Sequence, residues 1–171
     1  RGMAENPDVF FAHRESSNPY YNAVAEIVSE YMDKVSAVTG RKYRPFDYYG
    51  AKDAENIIIA MGSVTECIKE VIDFENAKGK KLGLINVHLY RPFSLKFLKE
   101  ALPASAKRVC VLDRTKEPGA NGEPLYLDII DAFNELGLIN KIEVVGGRYG
   151  LGSNDTTPAQ ILAVYENLEL S

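Results

Sequence analysis

Apolar residues fall into two kinds of run along this chain. Short unbroken runs mark strands buried on both faces, and longer stretches with apolar positions three and four apart mark helices. Tyr20, Val24, Ile27, Val28, Tyr31 and Val35 predict a first helix from about Pro19 to Val38, with Asn18 as N-cap, Pro19 in the first turn and Gly40 at the end. Tyr43–Tyr49 reads as an edge strand, because Pro45 lacks the N–H that a central strand needs. Ile57-Ile58-Ile59-Ala60-Met61 is a buried strand, and Gly62-Ser63 turns it into a helix carrying Val64, Cys67, Ile68, Val71 and Ile72 that ends near Gly79. Strand Leu82–Leu89 comes next, then a short helix with Leu95, Leu98 and Leu102, strand Val109–Leu112, a helix from Pro124 with Ile129, Ile130 and Phe133 inward, and strand Ile142–Val145. Thr157-Pro158-Ala159-Gln160 opens the last helix as a capping box, and Ile161, Leu162, Tyr165 and Leu168 form its stripe.

Strands alternating with helices over short links predict right-handed crossovers and a mainly parallel sheet covered on both faces, a doubly wound α/β domain. Ligand sites in such sheets lie beyond the carboxyl ends of the strands. That rule selects Gly62–Glu66, Tyr90–Phe93, Asp113–Tyr126 and Gly146–Asn154.

Composition narrows the function classes. At 171 residues, 46% hydrophobic and 26% charged, the chain suits one globular domain, and its net charge of −4 speaks against a nucleic-acid surface. No apolar run reaches the length of a membrane span, and no apolar segment follows Arg1 to make a signal peptide. Cys67 and Cys110 lie far apart in apolar stretches, so they read as small core residues rather than as a disulfide or metal set, and reduced thiols fit a cytoplasmic setting. The aperiodic first seventeen residues, opening on Arg1, read as an arm or linker from a preceding domain, with the α/β domain over 18–171.

Each loop at the predicted site edge carries two readings. Gly62-Ser63 before a helix offers free amides to a phosphate, or is a tight turn with Ser63 as N-cap and Glu66 as its capping-box partner. Asp113-Arg114-Thr115-Lys116-Glu117-Pro118-Gly119 packs charge and stiffening together: Arg114 and Lys116 clamp an anion and Asp113 or Glu117 fixes Arg91, or the loop is a charged surface turn capping the next helix through Glu123 and Pro124. Tyr90-Arg91-Pro92-Phe93 has the composition of an interface anchor, or is local packing. His88 shares a strand face with Asn86 and Tyr90 and reads as a structural histidine or one facing a partner domain. Gly146–Ser153 reads as an ordered loop needing unusual dihedrals, with Arg148 as an anion or interdomain contact. No pattern supplies a nucleophile–base pair, a metal cluster or a dinucleotide fingerprint.

These loop motifs together resemble the second domain of the pyruvate:ferredoxin (or flavodoxin) oxidoreductase family. The resemblance rests on Gly62–Glu66, Leu89-Tyr90-Arg91-Pro92-Phe93-Ser94, Val111-Leu112-Asp113-Arg114-Thr115-Lys116-Glu117-Pro118-Gly119, Gly122–Tyr126, Gly146–Leu151 and Asp155–Pro158, and covers nearly the whole chain. It implies a three-layer fold like the C-terminal domain of transketolases. That fold has a five-stranded sheet in the order 1-3-2-4-5, with Tyr43–Tyr49 as the antiparallel strand and Gly62-Ser63 meeting Asp113-Arg114 across one crevice. It implies that the parent converts pyruvate and coenzyme A to acetyl-CoA and carbon dioxide and passes electrons to ferredoxin or flavodoxin. Thiamine diphosphate, magnesium and 4Fe-4S clusters would sit in other domains of a homodimeric parent. The resemblance carries over no catalytic residue. Gly62, Ser63, Glu66, Tyr90, Arg91, Asp113, Arg114, Lys116, Glu117 and Arg148 are expected as contacts to other domains, or to an anion such as coenzyme A.

Overall fold

A computed structural model describes residues 4–170. They fall into two compact units: one runs to Pro45 and takes in Leu89–Ser94, and the other is Phe46–His88 with Leu95 onward.

The first unit holds α1 (Pro7–Glu15) and α2 (Asn18–Thr39). α1 lies in the segment read as an aperiodic arm. None of its residues is buried, so nothing selects an apolar face and no period is visible. Its local support is Pro7 in the first turn, Asp8 at the positive end and His13 and Arg14 at the negative end. α2 extends one residue past each predicted end and stops at Gly40, whose φ is 71°. Its apolar stripe is not a core face: Ala25 alone is buried, while Tyr20, Ile27, Tyr31 and Val35 are exposed.

The second unit is a five-stranded sheet in the order β1-β3-β2-β4-β5. Its strands are β1 (Phe46–Gly50), β2 (Asn56–Ala60), β3 (Leu82–Val87), β4 (Arg108–Asp113) and β5 (Glu143–Arg148). Three of the four pairings are parallel. β1 runs antiparallel along β3 at the edge, just after Pro45. The helices are α3 (Val64–Asn76), α4 (Leu95–Ala101), α5 (Pro124–Glu135) and α6 (Pro158–Glu169).

The chain steps outward from β2 to β3, then reverses to β4 and β5. With right-handed crossovers that reversal sends α3 to one face and α4 and α5 to the other, and makes the β2–β4 boundary the switch point. α3 and α6 share a core in which Val64, Ile68, Ile72, Ile161, Tyr165 and Leu168 pack on Ile58, Leu84, Cys110 and Leu112. Ile57, Ile59, Ile85, Val109 and Val111 alternate to the opposite face, and Leu125, Ile129 and Phe133 of α5 are buried with them. Each such side chain contributes about 1.5–3 kcal/mol. Tyr165 keeps its hydroxyl satisfied by donating to the Gly83 carbonyl at 2.9 Å.

β5 is longer than expected. Gly146, Gly147 and Arg148, read as loop, pair with Val111, Leu112 and Asp113 in the ladder. The two glycines serve close packing. A Cβ on Gly146 would come within 3.1 Å of the Tyr126 ring, and one on Gly147 within 2.7 Å of Leu112 Cδ2. Within Gly146–Ser153, left-handed backbone begins beyond the strand, at Gly150, Gly152 and Ser153. No helix among the described residues is long and apolar enough to cross a membrane.

Candidate functional site

Three loops of the second unit, those after β2, β4 and β5, end on its site edge and are tied together by their side chains. Asp113 is the last residue of β4 and is 6% exposed. Its Oδ1 accepts the Leu125 amide at 3.0 Å and its Oδ2 the Tyr126 amide at 3.1 Å, so it ties β4 to the first turn of α5. These amides point out of the positive end of a helix, where a carboxylate is stabilised. Burial nevertheless pushes the Asp113 carboxyl above the usual aspartate range, against the pull of the two amides. Both oxygens are thus engaged by the first turn of α5.

Glu123, expected only to cap α5, is the second anchor. Its carboxylate accepts the Glu117 amide at 2.8 Å and the Nε proton of Arg148 from β5, and the Lys116 ammonium lies 3.9 Å away. The Arg148 hydrogen bond, above all, holds the Glu123 carboxyl below the usual glutamate range. Lys116 also donates to the Glu117 carbonyl at 3.3 Å, and Arg114 donates its Nε proton to the Gly150 carbonyl at 3.2 Å. Lys116 is thus engaged within its own loop, and Arg114 with the loop that follows β5. Glu117 takes part through its backbone, and its side chain is exposed.

Gly62-Ser63 does not form the expected capping box. Ser63 is already helical (φ −63°, ψ −24°), whereas a capping side chain works from extended backbone. Thr65 Oγ1 donates to the Gly62 carbonyl instead, and Glu66 pairs with Lys69 at 2.7 Å. Tyr149 ties Met61, the residue before Gly62-Ser63, to Asp113. It spans the switch point, its amide donating to the Asp113 carbonyl at 3.2 Å and its hydroxyl to the Met61 carbonyl at 3.3 Å. An open groove of about 370 Å³ follows on the α6 side, lined by Arg148, Tyr149, Leu151, Asp155, Thr156 and Gln160. Thr157 and Gln160 beside it form the predicted capping box.

His88 has the orienting carboxylate that spacing alone could not assign. Asp47 Oδ2 lies 3.3 Å from Nδ1, and Asn86 Nδ2 lies 2.9 Å from Nε2. The antiparallel register, which sets Asp47 opposite Asn86, brings them together. In the first unit, Arg91 stacks on Tyr90 with its guanidinium carbon 3.9 Å from the ring centroid, and donates to the Tyr90 hydroxyl at 3.1 Å.

Cys67 and Cys110 are free thiols. Burial pushes Cys67 up and Cys110 up to about 12, which suits core residues and opposes metal ligation, since the ligand form is the thiolate. Among the described residues no three His, Cys, Asp or Glu side chains converge as a metal set. The described residues therefore do not fit an iron–sulfur cluster.

Residues 54–161 match the family model of pyruvate:ferredoxin oxidoreductase core domain II. The chain is 52% identical over 168 residues to the pyruvate-flavodoxin oxidoreductase of Enterobacter agglomerans and to the pyruvate:ferredoxin oxidoreductase of Moorella thermoacetica. Each match covers 98% of this chain and 14% of the relative, so the chain spans about one seventh of the length of these relatives. Among solved structures, the 2-oxoglutarate:ferredoxin oxidoreductase of Magnetococcus marinus shares the fold. Its TM-score is 0.52 at 17% identity, over 77% of this chain and 20% of that one.

Proposed function

Because the chain belongs to the pyruvate:ferredoxin oxidoreductase core domain II family, we propose that it is the second, non-catalytic domain of a longer oxidoreductase. In this reading the parent oxidatively decarboxylates pyruvate with coenzyme A to acetyl-CoA and carbon dioxide and passes the electrons to ferredoxin or flavodoxin. The thiamine diphosphate, magnesium and 4Fe-4S clusters belong to its other domains, and it works as a cytoplasmic homodimer. The observation that carries the non-catalytic role is the state of the site edge. Asp113 is spent on α5, and Glu123 on Arg148 and the Glu117 amide, so the best-placed acids serve as struts. The exposed Arg91, stacked on Tyr90, and the exposed Glu66, Lys116 and Glu117 are the side chains offered to neighbouring domains. Residues 1–17 act as the arm that leads into the domain.

The test is direct. The purified chain, given pyruvate, coenzyme A, thiamine diphosphate, magnesium and a viologen dye, is expected to reduce no dye and form no acetyl-CoA. Turnover in that mixture would overturn the reading. A second reading, in which this edge takes the phosphates of coenzyme A, has one observation in its favour: the Lys116 ammonium is exposed and only loosely held, 3.9 Å from Glu123. Titration calorimetry with coenzyme A on the folded chain separates the two. Saturable heat lost in Lys116→Ala would establish the second.

A further inference from the structure

α2 carries an apolar face that is unusual for a surface helix. At roughly 100° per residue, Tyr20, Val24, Ile27, Tyr31, Val35 and Val38 fall within an arc of about 80°. Five of the six are exposed: Tyr20 by 78%, Ile27 by 49%, Tyr31 by 59%, Val35 by 48% and Val38 by 87%. The buried Ala25 and the half-buried Met32 and Ser36 lie on another side of the same helix, so this stripe is additional to the face α2 already uses. Glu26, Glu30 and Asp33 take up the remaining side, giving a three-sided helix. A periodic apolar stripe bordered by charge marks an interaction surface.

The size of the stripe decides what covers it. From Tyr20 to Val38 it is about 27 Å long and, at roughly 10 Å wide, offers about 270 Å². A stable interface between separate chains buries about 800 Å² per partner. A second copy meeting this stripe alone would thus be held weakly. A surface on the same polypeptide needs far less area, because the connecting chain keeps it at high effective concentration. The relatives supply such a polypeptide, since the match takes up only 14% of their length.

We propose that the Tyr20–Val38 face of α2 is the seat of an apolar surface provided by the rest of the longer polypeptide. That surface carries hydrogen-bond acceptors opposite the Tyr20 and Tyr31 hydroxyls, which need partners once buried. The inference rests on the reading of the chain as one domain of a longer oxidoreductase, but it concerns a face distinct from the loop edge.

The experiment uses the intact parent polypeptide, with the photo-reactive amino acid p-benzoyl-phenylalanine in place of Tyr31 or, as control on the charged side, Glu30. Illumination is expected to cross-link position 31, and not position 30, to a peptide outside residues 1–171 of the same chain, without doubling the mass on a denaturing gel. A cross-link from α2 to α2 of a second copy, or equal yields at the two positions, would overturn the proposal. Unsubstituted polypeptide gives an independent readout: Tyr20 and Tyr31 are expected to be modified by hydroxyl radicals about tenfold more slowly than in the unfolded chain. Modification at the unfolded rate would also overturn it. Failure here leaves the domain reading standing, whereas pyruvate turnover by the isolated chain would overturn that reading without touching Tyr31.

Discussion

Arg148, at the end of β5, donates its Nε proton to the carboxylate of Glu123, a side chain only 5% exposed. The pair joins the last strand to the start of α5 and holds the charged loop between them. Arg148 keeps the Glu123 carboxyl below the usual glutamate range. A carboxyl lowered in the folded state contributes stability that is complete above its unfolded pKa, about 4.3, and is lost as pH falls through that value toward the folded one. Glu123→Gln is therefore expected to melt at a lower temperature than the wild type at pH 7, with the gap closing below about pH 4. Calorimetry from pH 3 to 8 checks this. A gap independent of pH would assign the effect to shape rather than charge.

Asp113→Asn keeps one carbonyl oxygen for the two amides of Leu125 and Tyr126 and turns an NH₂ toward the other. A buried donor left unpaired costs about 1–3 kcal/mol, so the urea midpoint at pH 7 should fall accordingly with the slope unchanged. The Asp113 carboxyl is raised by burial, so its own pH-linked contribution has the opposite sign to that of Glu123. It is complete in acid and is lost as pH rises from the usual aspartate range to the raised value. A midpoint equal to that of the wild type would show that water satisfies the freed amide.

Two glycines are expected to resist substitution to different degrees. Gly50 has φ 124°, and a Cβ there would sit 2.3 Å from the Leu82 carbonyl oxygen, which belongs to the sheet backbone. Gly50→Ala therefore carries about 1–3 kcal/mol of backbone strain together with the clash. Gly147→Ala clashes with the end of the Leu112 side chain, its other neighbours lying at ordinary contact distance, and costs about 1–3 kcal/mol of overpacking. Chemical denaturation of both variants should rank Gly50→Ala as the more damaging; the reverse order would mean that β1 gives way at its edge.

At alkaline pH the core is expected to weaken. Burial pushes the Cys110 thiol up to about 12, and burial, with Asp53 nearby, pushes the Tyr48 phenol up to about 12. Both are acids raised in the folded state, so their contributions are complete below the unfolded values, about 8.5 and 10, and are lost as pH climbs toward 12. A thiol reagent at pH 8 should label Cys67 slowly and Cys110 only after urea is added. Prompt labelling of Cys110 in the native chain would contradict its burial.

The strands were legible because Ile57–Ala60 and Val109–Leu112 are unbroken apolar runs, which a sheet covered on both faces requires. Their order was not in those runs; it came with the family resemblance of the loops and agrees with the observed pairing. The apolar run of β5 ends at Val145, because Gly146-Gly147-Arg148 breaks it. The reason for those glycines is the ring of Tyr126 and the side chain of Leu112, which are neighbours only in space. α2 was found by its period, but period alone does not say whether a stripe faces a core or a partner. At the site edge the residue types were visible and their partners were not. Arg148 lies 25 positions from Glu123, and Leu125 lies 12 from Asp113, so neither tie leaves a local signature.

α6 closes the core that it shares with α3, and it is the last helix among the described residues. Ile58 therefore leaves the ribosome roughly 5–20 s before Ile161, Tyr165 and Leu168 arrive to cover it. During that interval the α3 side of the nascent sheet is half-dressed. Synthesis order thus makes α6 the latch of the domain, and the wait for it the period of greatest exposure to misassembly.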